Sequence, residues 1–320
     1  MGEYLVADDL TRSYGGAAPA VDGLSFSVRR GELFALLGPN GAGKTTTIRL
    51  LTGLLGPSRG TAYVDGMDVR DAEKGPEIRR RIGLLPEAAG LYESLTVHRN
   101  LELYGRLFGL SGTDLEGRIR GQLTSLGLTD RADHRAGTLS KGLKQRLAIA
   151  RALLHEPECV VLDEPITGLD PEAAKSVRDA LVALRAQGRT ILLSTHHLED
   201  ADRLSDRVAV IRGRLLAVDT PAGLKRRLFR RLVAIELSAA DATAEQLAAG
   251  VAGVNSVHRD GPRLTLDLAR GEEEVPEAVE RLVRAGYRIR SVAAIEPSLE
   301  EAYLRLLEAS PRTDSTGAGS

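Results

Sequence analysis

The sequence predicts an α/β domain built on a helix-covered parallel sheet, followed by a smaller α+β domain. Three observations predict this. Short apolar runs alternate with helical patterns up to about residue 222, and strand–helix–strand alternation argues for parallel strands with both faces covered. Residues about 88–155 are helical with no strand between, the mark of an inserted helical subdomain. After Pro221 the order becomes βαββαβ, the split ferredoxin-like order.

The elements follow in chain order. "LFALLG" (33–38) is a short apolar strand leading into a Gly-rich loop and the helix "KTTTIRLLTGLL". In "TAYVDGMDV" (61–69) an Asp65-Gly66 turn joins alternating residues, so a hairpin in a small antiparallel part is expected. "TVHRNLELYGRLFGL" and "DLEGRIRGQLTSLGL" supply the helical insertion. "CVVLDEP" and "TILLSTH" read as buried strands. Between them, "PEAAKSVRDALVALRAQG" is a helix ending at Gly188, where a C-cap residue belongs.

The domain boundary falls within "AGLKRRLFR", giving domains at 1–222 and 223–309. In the second domain "LVAIELS", "VNSVHRD", "RLTLDLA" and "YRIRSVAAIE" are strands, while "ATAEQLAAGV" and "VPEAVERLVRAG" are helices. A last helix starts with a capping box of Ser298 and Glu301. Residues 310–320, rich in Gly, Ser and Thr, are expected to be disordered.

Composition narrows the function. The 320 residues suffice for about two domains. A net charge of -1 gives no global pull toward nucleic acid or anionic lipid. A single cysteine, Cys159, excludes a disulfide framework and a multi-cysteine zinc site, and its apolar strand marks it as a core residue. No basic-then-apolar leader is seen at the N-terminus, Val6 stands where a myristoylation signal needs Ser or Thr, and no apolar run reaches the ~18–20 residues of a membrane span. Work at a membrane would need another chain to cross it.

The chemistry concentrates in two stretches. "GPNGAGKTT" (38–46) fits G-x-x-x-x-G-K-[ST] between a strand and a helix. Backbone N–H groups of Gly38, Pro39, Asn40, Gly41, Ala42, Gly43 and the residues after them can turn toward phosphate oxygens, as far as each residue has one. Lys44 reaches the β/γ-phosphates, Thr45 offers its hydroxyl to Mg²⁺, and Thr46 follows in the first helical turn. "VVLDEP" ends a strand in two carboxylates. Asp163 is assigned to Mg²⁺, and Glu164 to orienting or deprotonating the attacking water; positioning and charge stabilisation are what phosphoryl transfer chiefly asks of a protein.

A further stretch, "TLSKGLKQRLAIARALL" (138–154), is a helix with Ser140 as N-cap and an apolar face of Leu143, Leu147, Ile149, Ala150, Leu153 and Leu154. Lys141, Lys144 and Arg146 crowd its first turns, where the macrodipole disfavours cations by roughly 0.3–1 kcal/mol each. Either they are solvated or paired with surface acids, or this helix start awaits an anion.

With "TLSKGLKQR", "ITGLD" (166–170) and "LLSTHHLEDADRLSDRVAVI" (192–211), the chain resembles the ATP-binding subunits of ABC transporters over about residues 3–220. The later part resembles the accessory domain that follows the cassette in ATPases of ABC-2-type exporters, drug-resistance and sodium-export systems included. The resemblance implies a phosphate-loop NTPase cassette with a RecA-like core, an antiparallel β part and a helical subdomain, then the ferredoxin-like domain. It implies ATP and Mg²⁺ as cofactors. It also implies a second ATP-binding subunit as partner, forming a homodimer, and an integral membrane permease that holds the chain on the cytoplasmic face of the membrane.

By the same resemblance Tyr14 stacks on adenine, although a lone tyrosine near an N-terminal strand is more often packing. His196 contacts the γ-phosphate, with His197 a competitor on composition alone. Asp170 crosses the dimer interface. Ser140, Lys141 and Gly142 serve the nucleotide of the other copy, so each ATP is sandwiched between one chain's 38–46 loop and its partner's 140–142 helix start. ATP then favours the closed pair and hydrolysis releases it. His98, His134, His155 and His258 lack metal-ligand spacing.

Two positions depart from the family pattern. Glu87, in "IGLLPEAAG", replaces the usual glutamine and adds negative charge near the γ-phosphate while keeping a ligand for Mg²⁺. LSKGL replaces LSGGQ, so Lys141 and Leu143 stand in for glycine and glutamine. The stretch "AAGLYESLTVHRNLELY" after Glu87 either docks the membrane partner or is plain helical core. The competing reading is a soluble ABC ATPase acting on nucleic acid or the ribosome. Against it stand one cassette, no heptad run and no cysteine cluster.

Overall fold

The computed structural model describes residues 2–15, 18–228, 231–269, 274–295 and 298–309. The expected tail at 310–320 lies outside the described residues. The chain divides into one compact unit ending at Pro221 and a second over Ala222–Ala309, one residue before the expected boundary. Pro221 opens a helix, so the change of unit coincides with a change of element.

In the first unit the elements are β1 (Glu3–Arg12), β2 (Val21–Arg29), β3 (Leu33–Leu37), α1 (Lys44–Leu51), β4 (Arg59–Val64), β5 (Met67–Asp68), α2 (Gly75–Arg81) and β6 (Ile82–Leu85). The helical insertion holds α3 (Val97–Leu107), α4 (Gly112–Ser125) and α5 (Lys141–Leu153). Then come β7 (Cys159–Asp163), α6 (Pro171–Ala186), β8 (Thr190–Thr195), α7 (Leu198–Leu204), β9 (Arg207–Arg212) and β10 (Arg214–Asp219). The central six-stranded sheet has the order β10-β9-β3-β8-β7-β6. It is parallel except at β10, which pairs antiparallel with β9. A four-stranded antiparallel sheet, β2-β1-β4-β5, stands beside it.

The continuous apolar runs of the central strands have a simple cause: both faces are buried. Along β7, Cys159 and Val161 join the core under the antiparallel sheet, while Val160 and Leu162 join the core under α5 and α6. In β8, Leu192 faces the first core, and Ile191 and Leu193 the second. Cys159 is fully buried, and that burial pushes its thiol pKa up, as suits a small core residue.

Turn chemistry fixes the remaining ends. Asp65 and Gly66 take φ of 49° and 76°, and β4 pairs antiparallel with β5 across them. α6 ends in a Schellman motif: Gly188 N–H bonds to Arg185 O at 2.9 Å and Arg189 N–H to Leu184 O at 3.2 Å. The helix expected over 44–55 is shorter. α1 stops at Leu51, because Gly53 turns the chain at φ 69°.

The second unit follows α8 (Pro221–Leu228) with β11 (Arg231–Leu237), α9 (Ala242–Ala249), β12 (Val254–Asp260), β13 (Arg263–Leu268), α10 (Val275–Arg284), β14 (Ile289–Ile295) and α11 (Leu299–Ala309). Its sheet, β12-β13-β11-β14, is antiparallel throughout. Val233, Ile235, Leu264 and Leu266 pack with Ala244, Ala248, Ala278 and Leu282 of α9 and α10 as its core. Ser298 and Glu301 form the expected reciprocal capping box.

Candidate active site

The parallel strands set the site. β3, β8 and β7 are neighbours, and their register brings Leu37 beside Thr195 and Asp163 beside Ser194. The loop after β3, the carboxylates ending β7 and the histidine after β8 therefore emerge together at the carboxyl ends of the strands, where α/β sheets bind ligands.

The Gly38–Thr46 loop needs its glycines. Gly43 caps α1 at φ 93°, and a Cβ there would lie 2.5 Å from Ala20 O. A Cβ on Gly38 would lie 2.5 Å from Ile211 O. With no side chains at these points, the backbone curls into a cleft of about 250 Å³. Its lining includes residues 39–46, Glu87 and Glu164.

Lys44 is buried at the floor of this cleft. Its ammonium donates to Gly38 O at 2.7 Å and Pro39 O at 3.2 Å, and lies 3.0 Å from Glu164 Oε1. Glu164 sits at φ 52°, a left-handed turn unusual for a non-glycine residue and of the kind held at functional sites. Its N–H bonds to the hydroxyl and carbonyl of Ser194 at 3.1 and 3.2 Å, which over-determines that turn. Glu164 Oε2 accepts from Thr167 at 2.8 Å and from His196 Nδ1 at 2.9 Å. Burial alone would raise the Glu164 pKa; bonds from His196, Thr167 and Lys44 more than offset it and hold the carboxyl below its usual value. Because a carboxylate only accepts, this bond places the His196 proton on Nδ1.

Asp163 is buried below, accepting from the Ser194 hydroxyl. Ser194 and Thr167 are site residues that the sequence reading missed. Ser194 had a signal: a hydroxyl inside a strand buried along its whole length needs a partner. Thr167 had none, since only the turn after Glu164 brings it round.

Eight expected residues do not line this cleft: Gly38 and His196, which bond to Lys44 and Glu164, the buried Asp163, and Tyr14, Ser140, Lys141, Gly142 and Asp170. Tyr14 is exposed, with the Arg12 guanidinium 5.0 Å from its ring centre. Ser140 caps α5, accepting from Leu143 N–H at 3.3 Å. Asp170 caps α6, accepting from Ala173 N–H at 2.8 Å. Of the crowded cations on α5, Lys144 is paired with Glu93 at 2.6 Å.

A strand–loop–helix phosphate cradle with a buried lysine and an adjacent strand-end carboxylate defines a phosphate-loop nucleotide hydrolase. A family model described as "ABC transporter" matches residues 21–167. The chain is 36% identical to a daunorubicin resistance ATP-binding protein of Streptomyces coeruleorubidus, over 99% of each chain. It is 33% identical to a linearmycin resistance ATP-binding protein of Bacillus subtilis, over 94% of this chain and 97% of the other. A fluoroquinolones export ATP-binding protein of Mycobacterium tuberculosis shares 44%, over 73% and 76%.

Among solved structures, an ATP-binding subunit of an ABC transporter superposes with TM-score 0.63 at 36% identity, covering 70% of this chain and 92% of that one. A dimeric ATP-binding cassette in a post-hydrolysis state bound to ADP and phosphate gives TM-score 0.63 at 26% identity, covering 68% and 98%. The chain belongs to the ABC transporter family as an ATP-binding subunit, and its reaction is the hydrolysis of ATP. None of these relatives supports the nucleic-acid reading.

Proposed function

We propose that two copies pack head to tail and sandwich each ATP between one copy's Gly38–Thr46 loop and the other's Ser140–Gly142 helix start, energising export through a separate membrane chain. The observation that carries this is the division of the site. Lys44, Glu164 and His196 form one bonded cluster at the cleft, while the capped start of α5 lies outside it. A helix N-terminus is an anion site, and a second copy brings this one to the phosphate. Solved relatives include dimeric cassettes. Matches to drug-resistance proteins run through the second unit, which supports export and an accessory role for that unit. Its antiparallel βαββαβ arrangement supports a ferredoxin-like fold.

In this reading the incoming phosphates compete with Glu164 for the Lys44 ammonium. Release from Lys44 leaves Glu164 held by Thr167 and His196, free to orient or deprotonate water. Tyr14 stacks on adenine, and Asp170 reaches the other copy. The residues present fit Mg²⁺. Thr45 and Glu87 line the cleft, and Asp163 lies buried beneath, all with hard oxygen donors. Among the described residues no group of three or more His, Cys, Asp or Glu could cage a metal, which suits an ion that keeps its waters and phosphate ligands. Bound there, Mg²⁺ would neutralise phosphate charge.

No helix of the described residues is long and apolar enough to cross a membrane, so anchorage at the cytoplasmic face is assigned to the partner chain. A groove of about 330 Å³, lined by Leu84, Gly90, Tyr104, Phe108 and Arg151 among others, supports docking near the 88–104 stretch. Tyr92 beside it is exposed, whereas Leu91 is half-buried against the helical core and is a packing residue. The decisive experiment is Glu164→Gln: turnover should fall at least about a hundredfold, and ATP should trap a dimer in size-exclusion chromatography. Continued hydrolysis would remove Glu164 from its role.

A further inference from the structure

Two imidazoles meet where β8 gives way to α7. On a strand, adjacent side chains point to opposite faces, so sequence neighbours do not touch there. β8 ends at Thr195 and α7 begins at Leu198, and the chain changes direction in the two residues between. The His196 and His197 rings come together, their centres 4.2 Å apart and their planes tilted by 35°. On composition His197 is a competitor for the role of His196; its placement suits a different one.

His196 is held at one atom, Nδ1, which donates to Glu164 Oε2 at 2.9 Å. A single bond fixes a point and leaves the ring plane free to swing about it. His197 supplies a second constraint, because its ring lies against that of His196. The platform is itself anchored. His197 N–H donates to Oγ1 of the buried Thr195 at 2.9 Å. His197 O accepts from Ala201 N–H at 3.2 Å in the first turn of α7. α7 is tied in turn to α6, where Arg178 Nε donates to the buried Asp200 carboxylate at 2.6 Å.

We propose that His197 is a positioning residue for His196. The stacked rings and the bond to Glu164 together fix the direction of His196 Nε2, the atom left for the γ-phosphate. The inference rests on the reading that His196 contacts that phosphate. A small misplacement of a group that faces the transition state costs rate more than binding. What His197 contributes is a ring face, so a flat apolar ring at 197 serves as well as an imidazole.

The test is steady-state hydrolysis of Mg-ATP by the full chain. His197→Ala, at an exposed position that puts the fold at no risk, should lower kcat about fivefold or more with KM within about twofold. His197→Phe returns a flat ring to His196 and should restore kcat to within about twofold of the wild type. His196→Ala alone should lose about a hundredfold, which leaves a rate to compare. In that background His197→Ala should remove nothing further, since the two residues act as one unit. Full activity in His197→Ala overturns the proposal. So does a His197→Phe chain as slow as His197→Ala, or a loss that persists undiminished without the His196 ring. Failure of the underlying reading is separate: His196→Ala would then hydrolyse ATP at the wild-type rate.

Discussion

α1 begins at the phosphate loop and α5 at the helix start proposed to meet another copy's nucleotide, and the two are built differently. α1 starts from a left-handed glycine, and its lysine is buried and held by Gly38, Pro39 and Glu164. α5 starts from an exposed serine cap, and its first-turn lysine rests on a neighbouring loop. The far end of α5 serves another surface: the Arg151 guanidinium stacks 4.7 Å from the Tyr104 ring centre at the groove and donates to Ala89 O and Gly90 O. A cradle completed within one chain can be enclosed. A cradle that must meet another copy has to stay at the surface, and its helix is free to carry a second contact at the other end.

The largest effect should come from breaking the enclosed cradle. Lys44→Ala removes the phosphate ligand and leaves the Glu164 carboxylate without its cation, so ATP binding and turnover should each fall by about a hundredfold or more, read by analogue fluorescence and phosphate release. Next is the groove at the far end of α5. Tyr92→Glu places charge on an exposed ring 6.2 Å from Tyr104. Transport in reconstituted vesicles should drop about tenfold or more, while hydrolysis by the isolated subunit continues. Unchanged transport would sever this surface from the membrane partner.

Glu87→Gln is a milder probe of the enclosed cradle. It restores the neutral amide of the family pattern at a position lining the cleft, and ATPase activity should stay within about tenfold. Near-total loss would give the carboxylate a task of its own.

The smallest effect concerns His155, just beyond α5. Its ring stacks on Phe108 at 3.8 Å and bonds to Ile82 O at 3.2 Å. Nδ1 is buried with no hydrogen-bond partner, and burial holds the pKa below its ordinary value. Above about pH 6.5 the ring is neutral folded or unfolded, and its contribution is fully present. As pH falls below that value the unfolded chain takes up the proton first, so stability declines until the folded ring also titrates. His155→Phe should lose that decline, seen as a Tm difference of about two degrees between pH 7.5 and 5.5. Identical pH profiles would place the proton uptake elsewhere.

Much of this was written in local pattern. The glycines, Lys44 and Thr45 are contiguous, so a strand–loop–helix in sequence is already a cradle in space. Ser140 as a cap and Asp163-Glu164 at a strand end were legible for the same reason: a cap or a strand end needs only its neighbours. The bond from Gln145 to Pro165 O was not legible, because the two meet only after α5 has packed across the strand-end turn. Nor could the pattern separate Leu91 from Tyr92. Both are apolar and adjacent, and only the packing of α3 and α5 decides which is covered.

The sequence by itself therefore determined the cassette, its reaction and the loop assigned to phosphate, since these depend on short stretches whose chemistry is local. Tertiary structure alone decided how they are wired. It bound Lys44 and His196 to one carboxylate, placed Ser194 between Asp163 and Glu164, and left the start of α5 outside its own chain's cleft. Those relations join β3, β7, β8 and α5, segments far apart in the chain, and only the register of the parallel sheet brings them within reach of a hydrogen bond.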